Sequence, residues 1–215
     1  THSVVRLSNP EVAELAKLAN NSFRDVSFAF ANELSLLAEE HNIDVSEVIH
    51  AANNGYPRNP IPSASPGVGG YCLPKDSFLL SESFSDKENL SRLGNVARGI
   101  NKRAGQFPLR VFDWFCGRTK SSASQTTVLV IGVAFKGDPE TNDIRGSNGI
   151  DIARSLSEQG ARVSVWDAVV TQEQLAHEGF AYASNLAEAV LRADCIFIMN
   201  NHLLSLIILD RTSSK

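Results

Sequence analysis

The segment that begins Asn9-Pro10-Glu11 constrains the fold more than any other. Asn9 suits an N-cap, proline is tolerated at the first helical position, and an acid in the first turn complements the helix dipole. Apolar residues Val12, Leu15, Phe23, Val26, Phe30, Leu34 and Leu37 then recur at helical spacing until His41-Asn42. The pattern predicts one helix of roughly 30 residues, about 45 Å long. Its apolar positions exceed one narrow stripe, so the helix is expected to span a domain or to pair with a second copy.

Asp44-Val45-Ser46-Glu47 reads as a capping box that opens a shorter helix, stopped at Asn53-Asn54-Gly55-Tyr56-Pro57. Residues 59–70 are dominated by Pro, Ser and Gly, a loop whose backbone a ligand can approach closely, and Cys72 stands at its end. Residues 86–115 read mainly as helix, broken or kinked by Pro108. The polar, serine-rich stretch 118–126 reads as a linker between a helical domain, 1–117, and a second domain, 127–215. There a buried-type strand (127–135), a helix (147–159) ending at Gly160 and a strand (162–166) form a βαβ unit. Helical patterns at 171–178 and 186–193 and a strand at 195–199 continue the alternation. The expected fold is α/β: an all-α domain with a long helix, then a doubly wound, parallel-sheet, Rossmann-like nucleotide-binding domain.

Composition narrows the function classes. The 215 residues are 43% hydrophobic, and the net charge of -4 is spread over mixed signs without a basic stripe. Nucleic acid and anionic membrane surfaces are therefore not expected partners, and any bound anion must be met locally. Cys72, Cys116 and Cys195 are widely spaced with no CxxC pair, and His2, His41, His50, His177 and His202 lack metal-ligand spacing. Neither a disulfide framework nor a metal site is expected, and a reducing cytoplasm fits. No apolar run approaches the roughly 20 residues of a membrane helix, and no signal peptide opens the chain. The start at Thr1 without Met and the abrupt polar tail suggest a piece of a longer protein.

Three clusters could carry chemistry. The first is Gly67-Val68-Gly69-Gly70-Tyr71-Cys72-Leu73-Pro74-Lys75-Asp76. A thiol becomes a nucleophile by losing its proton, and a neighbouring lysine with a helix N-terminus would stabilise the thiolate. If a helix starts near Leu73, Asp76 lies on the sulfur's side, placed to activate water. A small buried cysteine beside a glycine turn is the plainer alternative. Gly67-Val68-Gly69 is no dinucleotide fingerprint, because no strand precedes it and the sixth position is Cys72. The second cluster is Lys17 and Asn21, four apart on the long helix, with Arg24 one turn on; they could hold an alcohol, its developing oxyanion and a phosphate, or form a solvated polar face. The third is Phe135-Lys136 with Asp143-Ile144-Arg145, between a strand end and a helix start, where phosphorylated ligands collect in open α/β sheets, or else a basic loop with Phe135 in the core.

Lys17-Leu18-Ala19-Asn20-Asn21, Asn32-Glu33-Leu34, the Gly67 to Asp76 run and Phe135-Lys136 with Asp143-Ile144-Arg145 together resemble the UDP-glucose, GDP-mannose and UDP-N-acetylhexosamine dehydrogenase family. The resemblance implies oxidation of the C6 alcohol of a nucleotide sugar to a uronate with two NAD+, through a cysteine thiohemiacetal and thioester, for surface polysaccharide synthesis. It implies that Cys72 is the nucleophile, that Lys17 and Asn21 stabilise oxyanions, and that Asp76 orients or deprotonates the hydrolytic water. It further implies a homodimer through the long helix. Arg24, Arg58, Ser63, Pro66, Gly67, Val68, Gly69, Phe135 and Lys136 would contact the UDP-sugar. Cys72, Lys75 and Arg145 would touch NAD, itself held mainly by an N-terminal domain that this chain lacks. The stretch 136–143 is longer than in many relatives. Asn21-Ser22-Phe23-Arg24-Asp25-Val26 and Tyr56-Pro57-Arg58 look like the UDP-N-acetylhexosamine branch, of which UDP-N-acetylmannosamine is favoured. Tyr71 to Asp76 looks more like the UDP-glucose and GDP-mannose branches, and a non-catalytic, dimerising nucleotide-binding module is the alternative from another class.

Overall fold

The computed structural model describes residues 4–58, 60–84 and 92–202 and divides into two compact units, Thr1–Ala104 and Gly105–Lys215. In the first, helix α1 (Pro10–His41) starts where its cap residues direct it: the Asn9 side chain accepts a hydrogen bond from the Val12 N–H at 3.0 Å. It stops at Asn42, a left-handed residue whose N–H bonds back to the last turn. Helix α2 (Val45–Asn53) is capped by Asp44, which accepts from the Ser46 N–H. Helix α3 (Leu73–Glu82) packs along α1, and helix α4 (Leu93–Gly105) lies against α3.

The faces of α1 invert the usual amphipathic expectation. Ser22, Asp25, Ala29 and Asn32 are buried, while Phe23, Phe30 and Leu37 are 73%, 50% and 53% exposed. Small and polar side chains fill the buried positions; Val26, Phe28, Leu34 and Leu36 are half-buried, and Phe23, Phe30 and Leu37 face outward.

The α3–α4 packing depends on Gly94. A Cβ there would meet the Ser77 carbonyl oxygen at 2.7 Å and Ser81 Oγ at 2.8 Å. Alanine is normally preferred over glycine inside a helix by about 1 kcal/mol. At this position backbone has to move to admit it, so Gly94→Ala is expected to lower stability by roughly 1–3 kcal/mol. Thermal denaturation checks the sign, which helix propensity alone would give the other way.

The second unit opens with helix α5 (Phe107–Thr119). Of the expected helix 86–115, residues 86–91 lie outside the described residues; the rest is divided at Gln106, and Pro108 occupies the first turn of α5, where its missing N–H is not needed. Phe112 of α5 is buried in one core with Val128, Val130, Ile152, Leu156 and Val165, so this helix groups with the sheet. The units accordingly divide upstream of the serine-rich stretch at which the sequence suggests a boundary. Strands β1 (Thr127–Ile131), β2 (Arg162–Trp166), β3 (Ala181–Tyr182) and β4 (Cys195–Ile198) form a parallel sheet of order β3-β2-β1-β4. Helices α6 (Asn148–Glu158), α7 (Gln172–His177) and α8 (Leu186–Arg192) connect them. Val128 and Val130 of β1 pack on the α6 side, and Leu129 and Ile131 on the other with Leu186, so apolar residues cover both faces of the central strand. The strand order reverses between β1 and β4, the topological switch point at which open α/β sheets bind ligands.

Two details differ from the sequence expectation. β1 ends at Ile131 rather than near 135, because the N–H groups of Val133 and Ala134 turn to the Asp167 carboxylate at 2.8 and 2.9 Å instead of a neighbouring strand. β3 has two residues, too few to show an alternation.

Candidate active site

Between α2 and α3 the Pro/Gly/Ser segment is pinned by side chains. Asn53 donates to the Ile61 carbonyl and accepts from the Ile61 N–H, both at 2.8 Å. A groove of about 310 Å³, lined by Ile49, His50, Asn53, Ile61 and Ser63 among others, opens beside this clamp. Further on, the Ser65 N–H donates to Asn32 Oδ1 and the Ser65 hydroxyl to the Gly67 carbonyl. Gly67 and Gly70 adopt φ of +88° and +91°, the left-handed region that a side chain disfavours, and this is how the loop turns into α3.

Cys72 is the residue before α3 and is exposed; its carbonyl accepts the first helical bond, from the Asp76 N–H at 2.9 Å. One turn on, Asp76 is fully buried, and three donors converge on it. Lys17 Nζ and Asn21 Nδ2 both reach Oδ2, at 2.7 and 2.6 Å, and Lys75 Nζ reaches Oδ1 at 2.7 Å. Burial alone would raise the Asp76 pKa, but the bonds from Lys17, Lys75 and Asn21 outweigh it and hold the carboxyl well below the usual range. Lys75 is shifted upward, chiefly by its bond to Asp76, with Cys72 and Tyr71 contributing further charge. Its ammonium also lies 5.6 Å from the Tyr71 ring centre.

This arrangement presents cationic and amide donors at the mouth of a helix whose preceding residue is an exposed thiol. Lys17 is more than half exposed, and the described bonds use one of its three N–H donors. An ammonium fixed by a buried carboxylate can stabilise a developing oxyanion. A carboxyl so far below its ordinary value is a weak base, so Asp76 suits orientation better than proton abstraction.

The structure thus brings Lys17, Asn21, Lys75 and Asp76 together beside Cys72. Arg24 is exposed and stands outside this cluster. Its place in the row belongs to the buried Asp25, which continues the four-residue spacing Lys17, Asn21, Asp25. Arg58 and Ser63 are exposed, and Pro66, Val68 and Gly69 half-buried. Gly67 is buried.

In the second unit, Phe135 and Lys136 follow β1, with the Lys136 ammonium 5.4 Å from the Phe135 ring centre. The Phe135 N–H bonds the Asp143 carbonyl, closing the loop 135–143. Arg145 forks onto the Asp143 carboxylate, with Nη2 at 2.7 Å and Nε at 2.9 Å, and this holds the Asp143 pKa down. The buried Asp167 accepts four backbone N–H groups, from Val133, Ala134, Val169 and Val170. The amides of Val133 and Ala134 are therefore engaged, and this turn does not offer the free N–H cradle that a dinucleotide pyrophosphate uses. Among the described residues no group of three or more His, Cys, Asp or Glu could hold a metal, and no helix is long and apolar enough to cross a membrane.

Sequence reasoning missed Asp25, Arg98, Asn101 and Asp167. The first three join residues 73 to 76 positions apart, and Asp167 grips amides 33 and 34 positions away; no local pattern signals such pairings.

Comparison with known proteins agrees with this division. Residues 11–103 match the central domain of the UDP-glucose/GDP-mannose dehydrogenase family, and residues 129–203 match that family's UDP binding domain. The chain is 34% identical over 196 residues to the UDP-N-acetyl-D-mannosamine dehydrogenase of Pyrococcus horikoshii, covering 91% of this chain and 43% of that protein. The solved structure of that organism's UDP-D-ManNAc dehydrogenase superposes with a TM-score of 0.76 at 33% identity over 90% of this chain and 43% of its own. A UDP-glucose dehydrogenase from Pyrobaculum islandicum does so with a TM-score of 0.78 at 28% identity, over 92% of this chain and 45% of its own. The chain thus spans less than half the length of these relatives. With both domain models matched in order and the same fold in the relatives, the chain belongs to the UDP-glucose/GDP-mannose dehydrogenase family.

Proposed function

We propose that this chain is the part of an NAD-dependent nucleotide-sugar 6-dehydrogenase that carries the covalent chemistry and the UDP site, with a UDP-N-acetylhexosamine such as UDP-N-acetylmannosamine as substrate. The observation that carries the reading is the convergence of Lys17, Asn21 and Lys75 on the buried Asp76, next to the exposed Cys72. The likeness to dehydrogenases named for UDP-N-acetyl-D-mannosamine supports the substrate class.

The residue roles are those the family resemblance implies, and the convergence on Asp76 supports them. NAD+, when bound, would supply the hydride acceptor for both oxidations; as the C6 hydride departs, the C6 hydroxyl gives up its proton to water, leaving an aldehyde. The Cys72 sulfur adds to the aldehyde carbon, forming a thiohemiacetal. Lys17 and Asn21 donate to the oxygen that bears negative charge in each oxidation. Loss of a second hydride from the thiohemiacetal carbon, with its hydroxyl proton passing to water, gives the thioester. Water attacks it, the C–S bond breaks, and the uronate leaves with the thiol restored. Asp76 holds Lys17 and Asn21 in place and orients that water. In the second unit Phe135 and Lys136 would hold the uracil and diphosphate and Arg145 would meet the nicotinamide cofactor; in the first unit Ser63, Pro66, Gly67, Val68 and Gly69 would line the hexose and Lys75 would meet that cofactor.

Calorimetric titration tests the reading. The chain should bind UDP-N-acetylmannosamine more tightly than UDP, and turnover should appear when an NAD-binding domain from the Pyrococcus horikoshii relative is joined to it. Equal affinity for UDP and the UDP-sugar, with no turnover, would favour the non-catalytic nucleotide-binding module.

The outward stripe of α1 fits a second copy. Phe23, Phe30 and Leu37 are spaced by seven and so share one exposed face. Light scattering at micromolar concentration should report a dimer, and Phe30→Glu should shift it to monomer. A parent protein that scatters as a monomer would contradict this.

A further inference from the structure

A second buried carboxylate lies behind the candidate site, and none of the roles above uses it. Asp25 is fully buried on α1, two turns beyond Lys17 and one beyond Asn21. Its Oδ1 accepts from Arg98 Nη1 at 2.7 Å and from Asn101 Nδ2 at 2.8 Å, both on α4, and its Oδ2 from the Ser77 hydroxyl at 2.8 Å. Ser77 is the residue after Asp76. Two arms run on from this hub to the backbone of the Pro/Gly/Ser loop. Arg98 uses a second nitrogen, Nη2, to donate to the Val68 carbonyl at 3.3 Å. Asn101 Oδ1 accepts from Asn32 Nδ2 at 2.9 Å, and Asn32 Oδ1 accepts from the Ser65 N–H at 2.8 Å.

Asn32 and Asn101 are buried, and the Arg98 side chain is 13% exposed. Such a network costs more to bury than apolar side chains of the same size, and its members must all be satisfied. What it supplies is geometry. The buried face of α1, which in most helices would be apolar, is spent on bonds that set the positions of Ser65 and Val68 relative to Lys17, Asn21 and Asp76.

We propose that Asp25, Arg98, Asn101 and Asn32 form a positioning network that fixes the Ser65–Val68 backbone for the hexose of the substrate. The proposal rests on the assignment of that loop to the sugar, and it makes none of the four a catalytic residue. Arg98 needs to be arginine because it serves two acceptors at once, the Asp25 carboxylate and the Val68 carbonyl, and a lysine has no planar fork to do so.

Amide hydrogen exchange by mass spectrometry, combined with titration of UDP-N-acetylmannosamine and of UDP, tests this in the whole chain. Asn32→Ala should speed exchange at Ser65 and its neighbours by about tenfold or more, leaving α2 and the second unit unchanged. Arg98→Ala should lower the melting temperature, because it strands Asp25; Arg98→Lys should restore much of the melting temperature yet leave exchange around Val68 fast. Both Asn32→Ala and Arg98→Lys should weaken UDP-N-acetylmannosamine by about tenfold and leave UDP unchanged. Exchange that is unaltered in the loop, or that rises equally through α1 and α3, overturns the proposal, since the network would then be a general scaffold. Fast loop exchange with an unchanged ratio of UDP-sugar to UDP affinity overturns its substrate half. If the parent chain binds UDP and its sugar equally, it is the assignment of the loop to the hexose that fails, and the exchange data still report whether the network holds the loop.

Discussion

Cys72→Ser, in a protein joining this chain to an NAD-binding domain, should cut release of the uronate by roughly 10⁴-fold or more. The chemistry makes the loss selective. In the proposed mechanism hydride transfer from the alcohol uses Lys17 and Asn21 as oxyanion donors, and the substitution leaves both in place. The aldehyde then meets a hydroxyl, a far weaker nucleophile than a thiolate near neutral pH. Any adduct that does form passes to an ester, which hydrolyses less readily than a thioester. The variant should therefore reduce at most about one NAD+ per bound sugar and stall. Lys17→Ala should instead slow both oxidations, by an amount equivalent to about 3 kcal/mol, the usual cost of removing one oxyanion donor. Single-turnover absorbance of NADH separates the two outcomes. Two equivalents of NADH at parent rates from Cys72→Ser would remove Cys72 from the mechanism.

Asp76→Asn should have the second largest effect, on stability and on its pH dependence. The substitution keeps the shape but removes the charge on which Lys17, Asn21 and Lys75 converge, and whichever way it is turned its amide N–H₂ faces one of the two ammonium groups. The lysines are partly exposed and can turn to water, so the cost is expected to be about 2–3 kcal/mol rather than that of a fully buried pair. The folded pKa of Asp76 lies below its ordinary value. The carboxylate therefore stabilises the fold fully above the unfolded value near 4 and loses that contribution as pH falls toward the folded one. Melting temperatures of the parent and the variant should differ most at pH 6 and draw together as the pH is lowered below about 4. A constant gap down to pH 2 would mean that Asp76 is not the charged anchor described above.

The legible parts of the molecule were those whose causes are local. Asn9, Pro10 and Glu11 announce α1; Asp44 announces α2; the helix expected from 147 is α6, with Ser147 as its cap accepting from the Ile150 N–H. Lys17 and Asn21 could be paired because helical spacing puts i and i+4 on one side, and a helix starting at Leu73 brings Asp76 one turn from Cys72. Periodicity was a poor guide to direction. Phe23, Phe30 and Leu37 identify α1 as a helix but point away from the unit's own interior, while Asp25 and Asn32, which look like surface residues, point into it. The grouping of α5 with the sheet depends on Phe112 meeting Val128 and Ile152, a contact decided by tertiary packing. Likewise, the end of β1 is set by Asp167, a residue 36 positions beyond Ile131, through bonds that no propensity encodes.

Capture by Cys72 of an aldehyde delivered on a nucleotide sugar is tested on the chain itself by alkylation in the presence of a UDP-hexose-6-aldehyde. The aldehyde bypasses the first oxidation, so its carbon and the thiol combine without any oxidant. Iodoacetamide labelling followed by peptide mass spectrometry reports all three cysteines at once. The aldehyde should shield Cys72 saturably and well beyond the parent alcohol at equal occupancy, with Cys116 and Cys195 unaffected. Labelling of Cys72 at the same rate with the aldehyde as with the alcohol would contradict such capture.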